Sequence, residues 1–150
     1  MKYIKDITAF ITNLNLVAAE NIDAWVEDPK VEPRAKDMGQ DSILLYRQTY
    51  NAVISIERFP HKKTPVELLF GHVAAWLMNA DLPEHDDLPV TSNDVDVLDA
   101  ESADIELTFE FIEDVYAVVD PDGPISLNGQ QYRLDDAVIN VAEEGEVSTT

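Results

Sequence analysis

Hydrophobic residues recur at two spacings along the chain, and these spacings predict the order of its elements. Residues 3–14 carry isoleucine and leucine three or four positions apart, which is typical of an amphipathic helix. Residues 64–80 predict a second helix that is apolar on nearly every side. Residues 21–28, 44–58 and 104–111 alternate apolar and polar positions, which predicts strands with one buried face. We therefore expect an α+β fold, with a small, mostly antiparallel sheet and helices packed on one face.

The second helix has a clear predicted start. Thr64, Pro65 and Glu67 match a capping box, in which the threonine oxygen and the glutamate side chain satisfy free amides of the first turn. At about 15 residues the helix is shorter than the roughly 20 that cross a bilayer. We expect a central core helix with one flank left over for a partner. The side chains expected in the core are Leu69, Val73 and Trp76.

Residues 29–41 break the alternation, because two prolines and a glycine oppose a regular central strand. We predict an irregular loop here, and a loop of this length is either functional or a solvated connection. The loop holds three bases, Lys30, Arg34 and Lys36. Just before it, Trp25 falls on the wetter face of its strand, where packing under a neighbouring loop is the more common role.

The alternation over residues 104–111 is the strongest strand signal in the chain. It turns Asp104, Glu106 and Glu110 to one face as a stripe of carboxylates. A bulge is predicted near residues 112–114, where the apolar positions change.

Shorter elements complete the predicted domain. A strand around Val95 and Val97 precedes a turn at residues 99–102, and Asn128-Gly129 predicts a closing hairpin. We expect a single domain over residues 1–141, with a last apolar contact from residues 138–141, and a mobile polar tail over residues 142–150.

Charge divides the chain into two unlike parts. The protein has 30 acidic and 10 basic residues, for a net charge of −20. Residues 1–63 hold 9 acids and 9 bases, whereas residues 64–150 hold 21 acids and Arg133 as their one base. Phosphate backbones repel such a surface, so direct nucleic-acid recognition is disfavoured. Two interpretations stay open: a solvated acidic face, or an asymmetric subunit whose neutral part meets the acidic part of a neighbour.

Catalytic and cofactor motifs are missing from the sequence. Cysteine is absent, which excludes disulfides and thiolate chemistry, and the five glycines form no phosphate-binding loop. The three histidines have no metal-site spacing, and His85 beside Asp86 and Asp87 predicts a weak cation contact at most. The first ten residues lack the pattern of a secretory signal, so we expect an intracellular protein or one delivered in a particle. We expect no enzyme, no cofactor and no bound metal.

Two segments carry a resemblance to a known family. Residues 69–77, which end in Ala-Trp-Leu, and the run ADIELTFEF near residue 103 resemble phage tail completion protein R of contractile-tailed temperate phages. The stretch PISLNGQQYRL resembles the strand pair that often closes these chains, and the similarity covers most of residues 1–135.

The resemblance implies a structural role as a tail terminator. Such proteins are taken to form a ring, typically of six subunits, on the tail tube, where they stop polymerisation and offer a surface for joining the head. The implied partners are further copies of the chain, tail tube and sheath proteins, and head–tail connector proteins, with no membrane involved. The implied location is the head-proximal end of the virion tail, after assembly in the host cytoplasm.

Two other functions remain open from the residues alone. The carboxylate stripe and the net charge also fit a small acidic module that mimics nucleic acid and occupies a basic site on a partner. A carboxylate-dependent hydrolase remains only as a residual hypothesis, since it would need a divalent metal. For the assembly role we predict subunit or tube contacts at six positions. These are Lys30, Arg34, Lys36, Asp104, Glu106 and Glu110.

Overall fold

The computed structural model describes residues 1–80, Leu82 and residues 91–135. Two helices and six strands follow one another in this part of the chain. Every strand pair is antiparallel, and the strands run in the order β1-β2-β4-β6-β5 with β3 also paired to β4. The predicted α+β class is confirmed. The predicted domain end at 141, the contact from 138–141 and the tail over 142–150 lie outside the described residues and stay predictions. The elements are α1 (Lys2–Asn13), a short 3₁₀ turn (Ala19–Asn21), β1 (Ile22–Gly39), β2 (Ser42–Phe59), α2 (Val66–Asn79), β3 (Thr91–Val97), β4 (Ala103–Val119), β5 (Ile125–Leu127) and β6 (Gln130–Leu134).

The core lies between the two helices and one face of the sheet, which we call the core face. Alternation along β2 and β4 places large apolar side chains on this face, as the sequence predicts, and the helices add Ile7, Ile11 and Leu69. The opposite face, which we call the outer face, carries the polar positions. The fully buried core includes Tyr50, Ile54, Ile56, Phe59, Leu107, Phe109 and Phe111.

Helix α1 forms as its apolar spacing predicts. Ile4, Ile7 and Ile11 are buried on the core, and the hydroxyls of Thr8 and Thr12 donate to carbonyl oxygens four residues earlier, at 2.6 and 2.8 Å. Its N-cap residue, Met1, supplies no capping side chain.

The predicted capping box of α2 is wrong. Helix α2 begins at Val66 with Pro65 as its N-cap, and no side chain caps it. Residues 60–64 instead form a turn in which the Lys63 and Thr64 amides donate to the Pro60 carbonyl, both at 3.0 Å. Because Pro65 is still extended, Thr64 lies one residue too early to reach the first turn.

Helix α2 is also less central than its apolar composition predicts. Leu69 and Val73 are buried as expected, but Trp76 is half-buried. Leu68 and Met78 are 45% and 70% exposed, so one flank of the helix faces solvent. The predicted free flank therefore exists, and its use by a partner stays a prediction.

The predicted loop at residues 29–41 is wrong as well. Strand β1 continues to Gly39 beside β2, so most of this segment is strand. The prolines are accommodated because β1 is an edge strand, and because its pairing shifts register at three places: Glu27/Lys30, Pro33/Lys36 and Asp37/Gly39. Asp28 and Ala35 take positive φ angles of 51° and 50° along this irregular stretch.

Strand β4 has no bulge at the predicted place. Its buried positions alternate without interruption from Ala103 to Ala117, and the irregular pairings with β2 fall at Leu44/Tyr46 and Ile56/Phe59. The alternation continues because Glu113 occupies a core-face position that an apolar residue would normally take. The short strand β3 and the Asn128-Gly129 hairpin are confirmed, with positive φ angles of 51° and 79° at the turn.

Candidate assembly surfaces

The three predicted carboxylates lie together on the outer face of β4. Glu106 pairs across the sheet with Ser55, and Glu110 pairs with Asn51. Asp104 accepts a hydrogen bond from the amide of Arg58 at 3.0 Å. Cross-strand neighbours on the same face extend the stripe into a wider group, which we call the acidic patch. It comprises Asp23, Glu27, Asp94, Asp96, Asp104, Glu106 and Glu110.

The three predicted bases lie together on the second half of β1. Lys30, Arg34 and Lys36 are all exposed, and Arg34 forms an ion pair with Glu32 at 3.3 Å. Among the described residues, none of these bases is paired with a carboxylate of the acidic patch. The two sets lie at different levels of the sheet, since Lys30 aligns with Thr49 beyond the level of the patch.

A second ion pair joins β2 to β4 on the outer face, at the level of the bases of β1. Arg47 donates to Asp114 through two nitrogens, at 2.7 and 3.1 Å. The hydrogen bond to Asp114 raises the pKa of the Arg47 guanidinium above its ordinary value. This bidentate contact links β2 to β4 at the end of the sheet that carries the bases.

Glu113 is a buried carboxylate that was not among the predicted site residues, and it anchors the start of α1. Glu113 accepts hydrogen bonds from the amides of Lys2 and Tyr3, at 2.9 and 3.1 Å. The Tyr50 hydroxyl donates to the same carboxylate and accepts from the amide of Ile4 at 3.3 Å. Glu113 thus replaces the cap that Met1 does not provide, with its negative charge at the positive end of the helix.

The cluster changes the acidity of its neighbours. Burial, together with the hydrogen bond to Glu113, raises the pKa of the Tyr50 hydroxyl far above its ordinary value. Burial also raises the pKa of the Asp6 carboxyl, against the lowering effect of Lys2. The signal in the sequence was the unbroken alternation of β4, which places residue 113 on the core face. A single glutamate in such a pattern is easily taken for a bulge.

A groove runs between α1 and the first half of β1. Its volume is about 890 Å³, and its walls include Ile4, Thr8 and Thr12 of α1 and Ala24 and Val26 of β1. Lys5 is the one charged side chain of its lining among the described residues. No pattern in the sequence indicates this groove, because it arises from how α1 packs above the sheet edge.

Other candidate features carry less chemistry. The His61 ring nitrogen lies 3.0 Å from the Asp99 carbonyl, and His72 packs edge-to-face on Phe10. Trp25 is on the outer face as predicted, where it donates to Glu27 at 2.9 Å. Within residues 1–80, 82 and 91–135, no group of acidic or histidine side chains is placed to hold a metal. The His85 cation contact lies outside the described residues.

Among the described residues, no helix is long and apolar enough to cross a membrane.

Comparison with known proteins places the chain in a family. The family model of P2 phage tail completion protein R (GpR) matches residues 1–136. An uncharacterized 19.2 kDa protein from the rep-hol intergenic region of Haemophilus phage HP1 (strain HP1c1) is 27% identical over 148 residues, which cover 95% of this chain and 87% of the relative. No solved structure matches. The resemblance found in the sequence is confirmed: the chain belongs to the P2 phage tail completion protein R family, and is a structural component of a phage tail that interacts with other tail proteins.

Proposed function

We propose that the protein is a tail terminator, which forms a ring on the end of the tail tube, stops its polymerisation and provides the surface that joins the head. The ring is of this chain alone, with six subunits as the expected number. It sits at the head-proximal end of the tail, contacts tube and sheath proteins below and connector proteins above, and assembles in the host cytoplasm.

The observation that carries this proposal is the separation of opposite charges on one subunit. The exposed bases at Lys30 and Lys36 and the acidic patch lie at different levels of the same sheet and do not pair within the chain. Contact with a second copy would let them pair, and contact between two unlike surfaces builds head-to-tail rings. Each exposed pair contributes only about 0–1 kcal/mol, so charge sets orientation and encounter rate while apolar contact supplies affinity.

Imaging tests the ring directly. Negative-stain electron microscopy of the purified protein, alone and with tail tubes, should show rings and tubes that carry one ring at an end. Addition of the protein to polymerising tube subunits should stop growth. Monomers that leave tube growth unchanged would reject the terminator role.

Charge reversal tests the orientation. The double variant Lys30→Glu/Lys36→Glu should slow ring formation while leaving the fold intact, and adding Arg34→Glu should deepen the effect. The matched control is Lys62→Glu/Lys63→Glu, which makes the same charge change at two exposed lysines before α2. Equal assembly rates for both pairs would show that the bases of β1 are not at a subunit contact.

The acidic patch favours one other function, an acidic module that occupies a basic site on a partner protein. Such a module would stay monomeric and bind basic proteins with an affinity that falls steeply as salt rises. Analytical ultracentrifugation across salt concentrations separates it from a ring-forming protein.

A further inference from the structure

Two stretches of sheet edge on opposite sides of the subunit have no strand partner on one side among the described residues, and they are similar in length, with six and seven residues. The first is residues 22–27 of β1, which pair with β2 on one side without a register shift. The second is β3, Thr91–Val97, which pairs with β4 in continuous register and with no other described strand. Unpaired strand edges readily add another strand, and proteins that must avoid this protect them.

The other half of β1 is the more strongly protected, although Asp23 and Glu27 also place exposed charges on the first half. Residues 28–39 contain Pro29 and Pro33, three register shifts and exposed charges, all of which oppose edge-to-edge pairing. Residues 22–27 contain neither proline nor bulge. The amide of Ala24 donates to the Asp23 carboxylate at 3.0 Å. By the alternation of antiparallel strands, Ile22 and Val26 present their amides on the same side.

The exposed side chains of β3 fit the groove beside that edge. Val95 and Val97 pair with Ile105 and Ala103 on the core face, yet both are exposed. A strand laid against residues 22–27 would run beneath α1, with its core-face side chains in the apolar groove. Val95 and Val97 would then be covered by the wall that Ile4 and Thr8 form.

Strand directions are compatible with repetition. Three successive antiparallel pairings relate β1 to β2, β2 to β4 and β4 to β3, so β3 runs antiparallel to β1. When copies are rotated about an axis along the strands, β3 of one copy therefore meets β1 of the next in antiparallel order. The contact is between unlike edges, so it closes a ring rather than a twofold dimer.

We propose that β3 of one copy pairs with residues 22–27 of the next copy, so that the sheets of neighbouring subunits join in one continuous antiparallel sheet; this rests on the proposed ring. On the outer face this contact brings Asp94 and Asp96 towards Asp23 and Glu27 and not towards the bases of β1, so charge opposes it there, and it is an alternative to the charge contact proposed above. Backbone pairing and the burial of Val95 and Val97 must outweigh a repulsion that solvent and salt screen.

Crosslinking tests which edges meet. Because the protein has no cysteine of its own, only the introduced thiols react with the crosslinker. Ala24→Cys and Val95→Cys are purified separately, then mixed and treated with a short bismaleimide, which tolerates a small shift of register. The mixture should give a covalent dimer, whereas neither variant alone should. The control mixture of Ala24→Cys with Val31→Cys should give none.

The outcomes separate this proposal from the ring itself. Dimers from Ala24→Cys alone would overturn it in favour of a twofold contact between like edges. Rings without crosslinks in the mixture would overturn the edge pairing and leave the terminator ring standing. Neither rings nor crosslinks would reject both proposals.

A matched substitution gives an independent readout. Val97→Lys places a charge in the groove of the next copy and should weaken ring formation at least tenfold. Val31→Lys makes the same change at a residue equally exposed in the subunit, 61% against 62%, but outside the proposed contact. It should leave ring formation unchanged. Equal behaviour of the two variants would overturn the edge pairing.

Discussion

At the scale of single residues, Glu113 joins elements that are distant in the chain. Its carboxylate accepts two amides of the first turn of α1 and the hydroxyl of Tyr50. A buried acceptor of this kind satisfies donors that have no other partner in the helix. The residue therefore joins α1 to the sheet.

Replacement of Glu113 by Gln should lower the free energy of unfolding by about 1.5–3 kcal/mol, because hydrogen bonds to a charged carboxylate are lost. In addition, the side-chain NH2 group of the glutamine would face donors that the carboxylate of Glu113 accepts from. The control is Glu110→Gln on the exposed outer face of the same strand, expected to change stability by less than about 0.5 kcal/mol. Urea unfolding followed by circular dichroism measures both. Equal stabilities would mean that Glu113 does not anchor α1.

Tyr50 gives a pH prediction with a definite sign. Its pKa is raised above the ordinary value of 10.0 in the folded protein, so the folded state keeps a proton that the unfolded state releases. The associated stability is fully present below about pH 10 and is lost as pH rises above it. Tyr50→Phe should be less stable at neutral pH but should show a shallower decline between about pH 9.5 and 11. Tyr132→Phe serves as the control, and parallel declines in all three proteins would contradict the assignment.

At the scale of elements, helix α2 shows how a local signal can be overruled. The residues Thr64, Pro65 and Glu67 fit a capping box, but the preceding turn closes on Pro60 and uses the Thr64 amide. A motif read from sequence assumes that the chain enters the helix at its first residue. Here the turn decides where the helix begins.

Substitutions along this region should reflect that arrangement. Trp76→Ala should cost about 2–4 kcal/mol, at or below the usual range for a core aromatic, since Trp76 is half-buried and packs edge-to-face on Phe111. Met78→Ala and Thr64→Ala should each stay within about 0.5 kcal/mol of the wild type. Thermal unfolding of the three variants measures the changes in stability. A loss near 1 kcal/mol for Thr64→Ala would show that Thr64 caps α2 after all.

Strand β1 shows the limit of composition as a guide. Prolines at positions 29 and 33 oppose a central strand, and from them the sequence predicts an irregular loop in which Val31 could extend an edge strand. An edge strand needs hydrogen bonds on one side only, and its bulges absorb the residues that do not fit. Whether a strand lies at an edge depends on the whole sheet, which no local window of sequence contains.

At the scale of the whole molecule, the sequence predicts the class of fold and most of the strands. The reason is that one-sided burial imposes a period of two residues, which β4 keeps from Ala103 to Ala117 and β2 keeps on the core face from Gln48 to Ile56. The anchor at Glu113 and the groove beside β1 could not be predicted, since each depends on α1 meeting strands far along the chain. The six charged positions stay predicted contacts, and their arrangement on the sheet is seen only in three dimensions.

The end of the domain gives a prediction at the same scale. We propose that the fold is complete at residue 141, so a chain that ends there should melt within about 2 °C of the full chain. A chain that ends at residue 129 loses β6 and its pairing with Ala117–Val119, and should melt well below both. Differential scanning calorimetry compares the three. A large loss on removing residues 142–150 would extend the domain to the end of the chain.

The contacts of Glu113 also bear on the order in which the protein folds. They join residues 110 and 111 positions apart, so α1 is held by a strand that is synthesised long after it. Closing so long a loop costs entropy, and contacts of high sequence separation form slowly. We therefore expect α1 to dock late, after β4 has paired with β2. Helix α1, which is synthesised before β2 and β4, would then be among the last of these elements to pack.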